Sequence, residues 1–548
     1  MMRRCLFALG LGLLAACDAP APWDRKPAAV AVAVENYAPA PLLDRSLPEL
    51  ADALRAGEVS SEGLVRAYLA RIERIDRSGP ALRSVLSVNP DALADARARD
   101  AERTAALDRG VALPPLHGLP LLIKDNIETR DALPTTAGAL ALVPNVTGRD
   151  APAVAGLRAA GAVILGKSNL SQWANFRSRN SMSGWSAVGG QVKNPHVLDR
   201  NPCGSSAGSG AAVAASLAAA AVGTETNGSI ICPSTVNGIV GFKPTVGLVS
   251  QRFIVPVSSS QDTAGPMTKT VRGTAMMLDA MAEPGRAAAF VAALDDGALR
   301  GKRVGALRFT QGGDARVVAL YDAALAAMER AGAVVVDVTE APAIPAEFAA
   351  QGFAVLKYEF RATLNQYLAD SPAPLPARSL DALMSFNDAH ASVELALFGQ
   401  DIFEAAEAMA GRHDEYLEAV ASVQKATQAG GIDALMAEHE LDVLTFPSGP
   451  LAPPRDAVNG DVWPASVGVT WMAAVAGYPH ATVPMGAVRA LPVGVSFVGA
   501  RNADAAIMAM AYAYEQASKA RVAPTFLESA AEVPRVASAL AGAGEDSG

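Results

Sequence analysis

Leu119-Pro-Leu-Leu-Ile-Lys-Asp125 is a short apolar run closed by a lysine and an aspartate. Three similar runs follow: AVILGKS at 162–168, IVGFKPT at 239–245 and AVVVDVT at 333–339, two of them introduced by Ala-Gly. Runs this short fit buried strands better than core helices. Helical patterns lie around them. SLPELADALRAG (46–57) gives an amphipathic helix stopped by Gly57. In VSSEGLVRAYLARIERID (59–76), Val65, Tyr68, Leu69 and Ile72 fall at i, i+3, i+4 and i+7, one helical face. A third helix, rich in Ala and Arg, spans Pro90 to Asp108. Strands alternating with helices predict an α/β architecture around a largely buried sheet.

No Pro/Gly linker interrupts 46–530, which reads as one large domain with a more helical insertion at 345–430. Residues 531–548, mostly Ala, Gly and acid, are expected to form a flexible tail. Of the 548 residues 51% are hydrophobic and 18% charged, which excludes a disordered chain. Mean hydropathy is +0.21, but only the N-terminus carries a long unbroken apolar run, so a polytopic membrane protein is excluded. Four cysteines exclude a disulfide scaffold. Net charge is −9 and the 46 basic residues include only ten lysines, with no Lys/Arg-rich block to follow a phosphate backbone. Nucleic acid is therefore not an expected partner.

Met1 to Cys17 (MMRRCLFALGLGLLAAC) has two arginines, an apolar core from Leu6 to Ala15, and Leu14-Ala15-Ala16 ahead of Cys17. The pattern is that of a secretory signal, too short to span a bilayer. Its end resembles the lipobox of bacterial lipoproteins. That resemblance implies removal of residues 1–16, lipidation of Cys17 and a membrane anchor in the cell envelope. An ordinary signal peptide with a chance cysteine is the alternative. Asp18 resembles an inner-membrane retention signal. Residues 17–45, rich in Pro and Ala, read as an extended tether.

Two clusters of small and hydroxyl residues carry the chemistry. The first is Asn201-Pro-Cys-Gly-Ser-Ser-Ala-Gly-Ser-Gly210; it fits neither phosphate-binding glycine pattern, and nucleotide binding is set aside. The second is Gly223-Thr-Glu-Thr-Asn-Gly-Ser-Ile230, where Asn227-Gly228 bends the chain just before Ser229. Such a bend lets consecutive N–H groups converge into an oxyanion hole. A nucleophilic serine needs a base, yet the six histidines stand in no triad-like signature. His117, in PPLHGLP, is better read as part of a capped turn before a strand. Lys124 is the remaining base. Burial on an apolar run lowers an ammonium pKa, and a fall from about 10.4 to about 7–8 corresponds to roughly 4 kcal/mol. On Lys124 alone, a lysine reaching from a strand end to water is the simpler reading.

Taken together and in order, GLPLLIKDNIET (118–129), CGSSAGS (203–209), GTETNGSI (223–230), VGFKPTVGLVS (240–250), SQDTAGPMTKTV (260–271), AGYPHATVPMG (476–486) and LPVGVSF (491–497) resemble the amidase signature family. The likeness covers roughly 46 to 530 and is strongest to the bacterial peptide amidase and aryl acylamidase group. It implies an α/β fold with a large, mostly mixed sheet covered by helices on both faces. It also implies a Ser-cisSer-Lys triad: Ser229 as nucleophile, Ser205 as bridge behind a cis Gly204–Ser205 bond, and Lys124 as base. The backbone N–H groups of Thr226, Asn227, Gly228 and Ser229 would bind the oxyanion, and Ser206 would hydrogen-bond and orient Lys124. No metal or organic cofactor is implied.

The chain departs from the family at Asn227, where Gly or Asp is usual, at Ala207 in the serine loop, and at Ile231-Cys232 in place of an Arg. Cys203 and Cys232 are expected to lie near one another, as two small buried thiols or, alternatively, as a disulfide. Residues 345–430 and the stretch from Trp463 to Trp471 are expected to wall the substrate site, or else to be ordinary core. The function expected is hydrolysis of carboxamides, peptide C-terminal amides or aryl or alkyl amides, through an acyl-enzyme. The alternatives are an esterase with the same triad and a catalytically silent envelope binding protein. The amidotransferase component that makes Gln-tRNA shares the triad, but it needs cytosolic partners and the export signal argues against it.

Overall fold

All four apolar runs become strands of one sheet in the structure, a computed structural model that describes residues 40–286, 289–464 and 467–541. In chain order the strands are β1 (Val85–Val88), β2 (Pro120–Lys124), β3 (Val163–Ser168), β4 (Ala220–Glu225), β5 (Val240–Lys243), β6 (Thr263–Thr268), β7 (Arg303–Leu307), β8 (Val334–Val338), β9 (Val443–Pro447), β10 (His480–Val488) and β11 (Leu491–Val498). They form an eleven-stranded sheet in the order β1-β3-β2-β4-β6-β5-β10-β11-β9-β7-β8. β2 runs parallel to β3 and β4, and β7 parallel to β8 and β9. The other neighbours are antiparallel, so the sheet is mixed as expected.

Every residue of β2, β3 and β4 is buried, because helices pack on both faces. AVVVDVT differs: it is the edge strand β8, and Val334 is 48% exposed. The early helices fall where the periodicity places them. Leu47–Arg55 starts in a capping box between Ser46 and Glu49, and Ser61–Arg71 buries Val65, Tyr68 and Leu69. Ala92–Arg109 stops at Gly110, whose φ of 63° is a left-handed cap.

The insertion is helical, with Phe348–Asp370, Leu380–Ala389, Asp401–Glu407 and His413–Thr427 as its main members. It has a core of its own in which Phe360, Leu364, Leu383 and Phe403 meet Trp173, Phe176, Val255 and Val257 from loops of the sheet layer. Lys124 ends β2 and Glu225 ends β4, and the two strands are parallel with Ile123 opposite Val222. Their carboxyl ends therefore open on the same edge, where α/β sheets place their binding crevices.

Two boundaries differ from expectation. Order begins before Ser46, because Ala40–Leu43 is helical, Leu42 and Leu43 are buried, and Lys269 Nζ donates to Leu43 O at 3.0 Å. The tail expected from 531 instead forms a turn at Ala530–Glu532 and a helix at Pro534–Ala541. Ser529 anchors it, accepting from the Ala531 N–H at 3.2 Å and donating to Asp199 Oδ2 at 2.7 Å. The expected signal peptide, Cys17 and most of the tether lie outside the described residues, as do 542–548.

Leu122 has no exposed surface and stands between two parallel neighbours. Leu122→Ala is expected to lower the unfolding free energy by about 2–5 kcal/mol, measured by denaturant titration.

Candidate active site

The first cluster is a crossing between two layers. Ser205 and Ser206 precede the helix Ala207–Ala214, and the Gly204–Ser205 peptide bond is cis. A side chain at Gly208 would meet the backbone oxygens of Asn169 and Ser84 at 2.4 Å, so only glycine lets the helix come this close. The Ser205 carbonyl accepts from the Ser171 N–H at 2.9 Å, and the Ser206 N–H donates to Ser229 O at 3.1 Å. The two serine clusters are thus joined through their backbones.

Lys124 reaches the crossing from the end of β2. Its side chain is fully buried, with Nζ 2.7 Å from Ser205 Oγ, 2.8 Å from Thr224 Oγ1 and 3.2 Å from Thr224 O. Burial lowers its pKa from 10.5 to about 7, against the opposing pull of Asp262 and Glu225. The lysine is enclosed and does not reach out to water. Lys167, Lys243 and Lys269 are buried as well, but none of them touches a serine of either cluster.

Ser206 does not reach Lys124. Its hydroxyl donates to Thr224 O at 3.0 Å and accepts from the Thr224 N–H at 3.2 Å, because the start of the helix points it at the edge of β4. It steadies Thr224, and Thr224 holds the lysine. Asn126 Nδ2 donates to Thr224 Oγ1 at 3.0 Å and completes that arrangement.

The second cluster turns sharply after β4, with Gly228 at φ 77°. Glu225 fixes the far side of the turn: its Oε2 accepts from the N–H groups of Ile230 and Ile231 at 2.8 and 3.0 Å. Thr226 Oγ1 donates to Asp262 Oδ1 at 2.6 Å, while Asp262 Oδ2 accepts from the Val257 and Ser258 N–H groups. Burial pushes the Asp262 carboxyl up to about 6. Between these two braces, the N–H groups of Asn227, Gly228 and Ser229 have no acceptor among the described residues. Ser229 is 7% exposed and Asn227 is exposed, so the turn faces solvent on one side. The Ser229 hydroxyl makes no hydrogen bond among the described residues.

Cys203 and Cys232 form a disulfide, with Cα atoms 5.9 Å apart, rather than two thiols. It links the residue before the cis bond's glycine to the helix following Ser229. Val236, Ala452 and Trp463 pack around it, so Trp463 belongs to this cluster. Trp471 meets Phe348 of the insertion with ring centroids 5.1 Å apart. His117 plays the structural part, its Nε2 lying 2.8 Å from Arg99 O. Among the described residues no group of three or more His, Cys, Asp or Glu is arranged to hold a metal ion.

A family model described as Amidase matches residues 63–508. A probable amidase of Arabidopsis thaliana is 36% identical over 503 residues, covering 88% of this chain and 92% of that protein. A glutamyl-tRNA(Gln) amidotransferase component of Myxococcus xanthus is 34% identical over 505 residues, covering 87% of this chain and 97% of that protein. Among solved structures, the native peptide amidase of Stenotrophomonas maltophilia superposes with a TM-score of 0.83 at 46% identity, covering 89% of this chain and all of that one.

Glu225→Ala strands two backbone N–H donors beneath the turn. It is expected to cost about 2–5 kcal/mol by denaturant titration, with Glu225→Gln recovering most of the loss.

Proposed function

This chain belongs to the amidase family, and on that premise we propose that it cleaves carboxamides through an acyl-enzyme on Ser229, with Ser205 and Lys124 as its proton relay. It is an amide-hydrolysing enzyme; the triad and the substrate are our reading. The observation that carries the relay is the enclosed Lys124 amine, 2.7 Å from Ser205 Oγ and with a pKa near the working range of a base.

In this reading neutral Lys124 takes the proton of Ser205, and Ser205 takes that of Ser229. The transfer requires the Ser229 hydroxyl to come within hydrogen-bond reach of Ser205 Oγ, a contact that in free enzymes is commonly long and tightens when substrate binds. Ser229 Oγ attacks the carbonyl carbon, and the oxyanion meets the N–H groups of Thr226 to Ser229. The proton returns through Ser205 to the leaving nitrogen, the C–N bond breaks, and the amine or ammonia departs. Water then gives up its proton along the same path and frees the acid. The likeness to a peptide amidase favours a peptide's C-terminal amide as substrate.

A protonated Lys124 accepts nothing, so kcat/KM is expected to rise with pH to a midpoint near 7 and to fall about tenfold per pH unit well below it. Lys124→Ala is expected to lower kcat/KM roughly 10²–10⁴-fold. Assays on peptide amides, aryl amides and matched esters test the rest: Ser229→Ala should abolish turnover of every compound the wild type cleaves. Unchanged turnover in that variant excludes the mechanism. The lipid anchor rests on the sequence alone, and incorporation of radiolabelled palmitate into wild type but not Cys17→Ala checks it.

A further inference from the structure

Glu359 lies on the longest helix of the insertion, Phe348–Asp370, and is 2% exposed. Its Oε2 accepts from Ser258 Oγ and from the N–H and Oγ of Ser260, the latter two at 3.1 and 3.0 Å. Its Oε1 accepts from Tyr416 OH at 2.8 Å, bringing in the helix His413–Thr427. The Ser258 N–H in turn donates to Asp262 Oδ2 at 2.9 Å, and Asp262 Oδ1 takes the Thr226 hydroxyl. A continuous chain of hydrogen bonds therefore runs from Tyr416 through Glu359, Ser258 and Asp262 to Thr226.

The inner end of this chain is Thr226, the first residue of the turn whose N–H groups would bind the oxyanion in the acyl-enzyme reading. The outer end meets solvent: the Tyr416 ring stacks on Tyr358 at 4.2 Å, and Tyr358 OH lies 2.9 Å from Nδ1 of the exposed His413. Both tyrosines are half-buried. No residue of the chain between Thr226 and Tyr416 touches the relay lysine by hydrogen bond. Asp262 acts on that lysine electrostatically, a route that would move the pH midpoint of kcat/KM, whereas an effect carried by the turn leaves the midpoint in place.

We propose that Glu359 is a positioning residue for the oxyanion donors, with Tyr416 as its outer anchor. The inference rests on the acyl-enzyme reading. Charge-assisted bonds to one carboxylate fix the 258–260 loop, the loop fixes Asp262, and Asp262 fixes the start of the turn. Donors aimed at a transition-state oxygen lose their effect with small displacements, so loosening this chain slows the chemical step while leaving ground-state binding intact.

The test is steady-state kinetics on a peptide amide with Glu359→Gln. The expected result is a kcat lower by roughly tenfold, less than the 10²–10³ of deleting a donor, with KM within about twofold. Affinity for a peptide boronic acid, a tetrahedral mimic, should fall by the same factor, and affinity for the acid product should not change. Tyr416→Phe should show the same pattern more weakly, and it keeps the test open if Glu359→Gln does not fold. In a Thr226→Val background the link is already cut, and Glu359→Gln should cost less than about twofold more. A raised KM with kcat intact, or an equal loss of kcat in both backgrounds, overturns the proposal. Fluorophosphonate labelling that persists in Ser229→Ala defeats the parent reading instead, so the two failures are distinguishable.

Discussion

A fully buried amine, its pKa lowered by that burial to about 7, is the constraint on which the proposed site depends. Lys124 Nζ is held by two hydroxyls and a carbonyl, and no carboxylate touches it. Glu225 and Asp262 are near enough to act on it electrostatically, yet Glu225 Oε2 is committed to the Ile230 and Ile231 N–H groups and both Asp262 oxygens to Thr226, Val257 and Ser258, and neither acid bonds the amine. A direct ion pair would keep the ammonium charged and useless as a base. The strand order makes this possible. With β2 beside β4 in parallel, the lysine points at Thr224 rather than at the acid that follows it.

Much of the fold was legible because burial on both faces leaves a plain mark on the chain. LPLLIKD, AVILGKS and IVGFKPT are apolar nearly throughout, and each is an interior strand. AVVVDVT has the same look but lies at the edge, since composition does not reveal whether a strand has one neighbour or two. The ends were read less well. Leu42 and Leu43 look like part of a Pro/Ala tether until the surface they cover is known, and the pairing of Ser529 with Asp199, 330 positions away, leaves no local mark on the chain.

At the site, Lys124, Ser205 and Ser229 stood out through the family resemblance, and the first two meet in space. Thr224, Glu225 and Asp262 lay in the quoted motifs without roles. Thr224 matters because strand register sets it against Lys124, and Asp262 because a loop some thirty-six positions away folds over Thr226. Ser206 was misassigned for the same reason, since one residue of rotation at the start of a helix aims its hydroxyl at Thr224 instead. Glu359 carries no local signal at all. It is an acid on a long helix, and only the packing of the insertion on the sheet makes it interior.

The disulfide between Cys203 and Cys232 spans the two segments that carry Ser205 and Ser229. Such bonds persist in oxidising compartments and are lost in reducing ones. Protein made in a reducing cytoplasm would carry the same sequence without this covalent link, its two serine clusters joined by hydrogen bonds such as that from the Ser206 N–H to Ser229 O. Preparations from different hosts would then differ in a covalent bond invisible to sequencing, and counting free thiols would reveal which form was in hand.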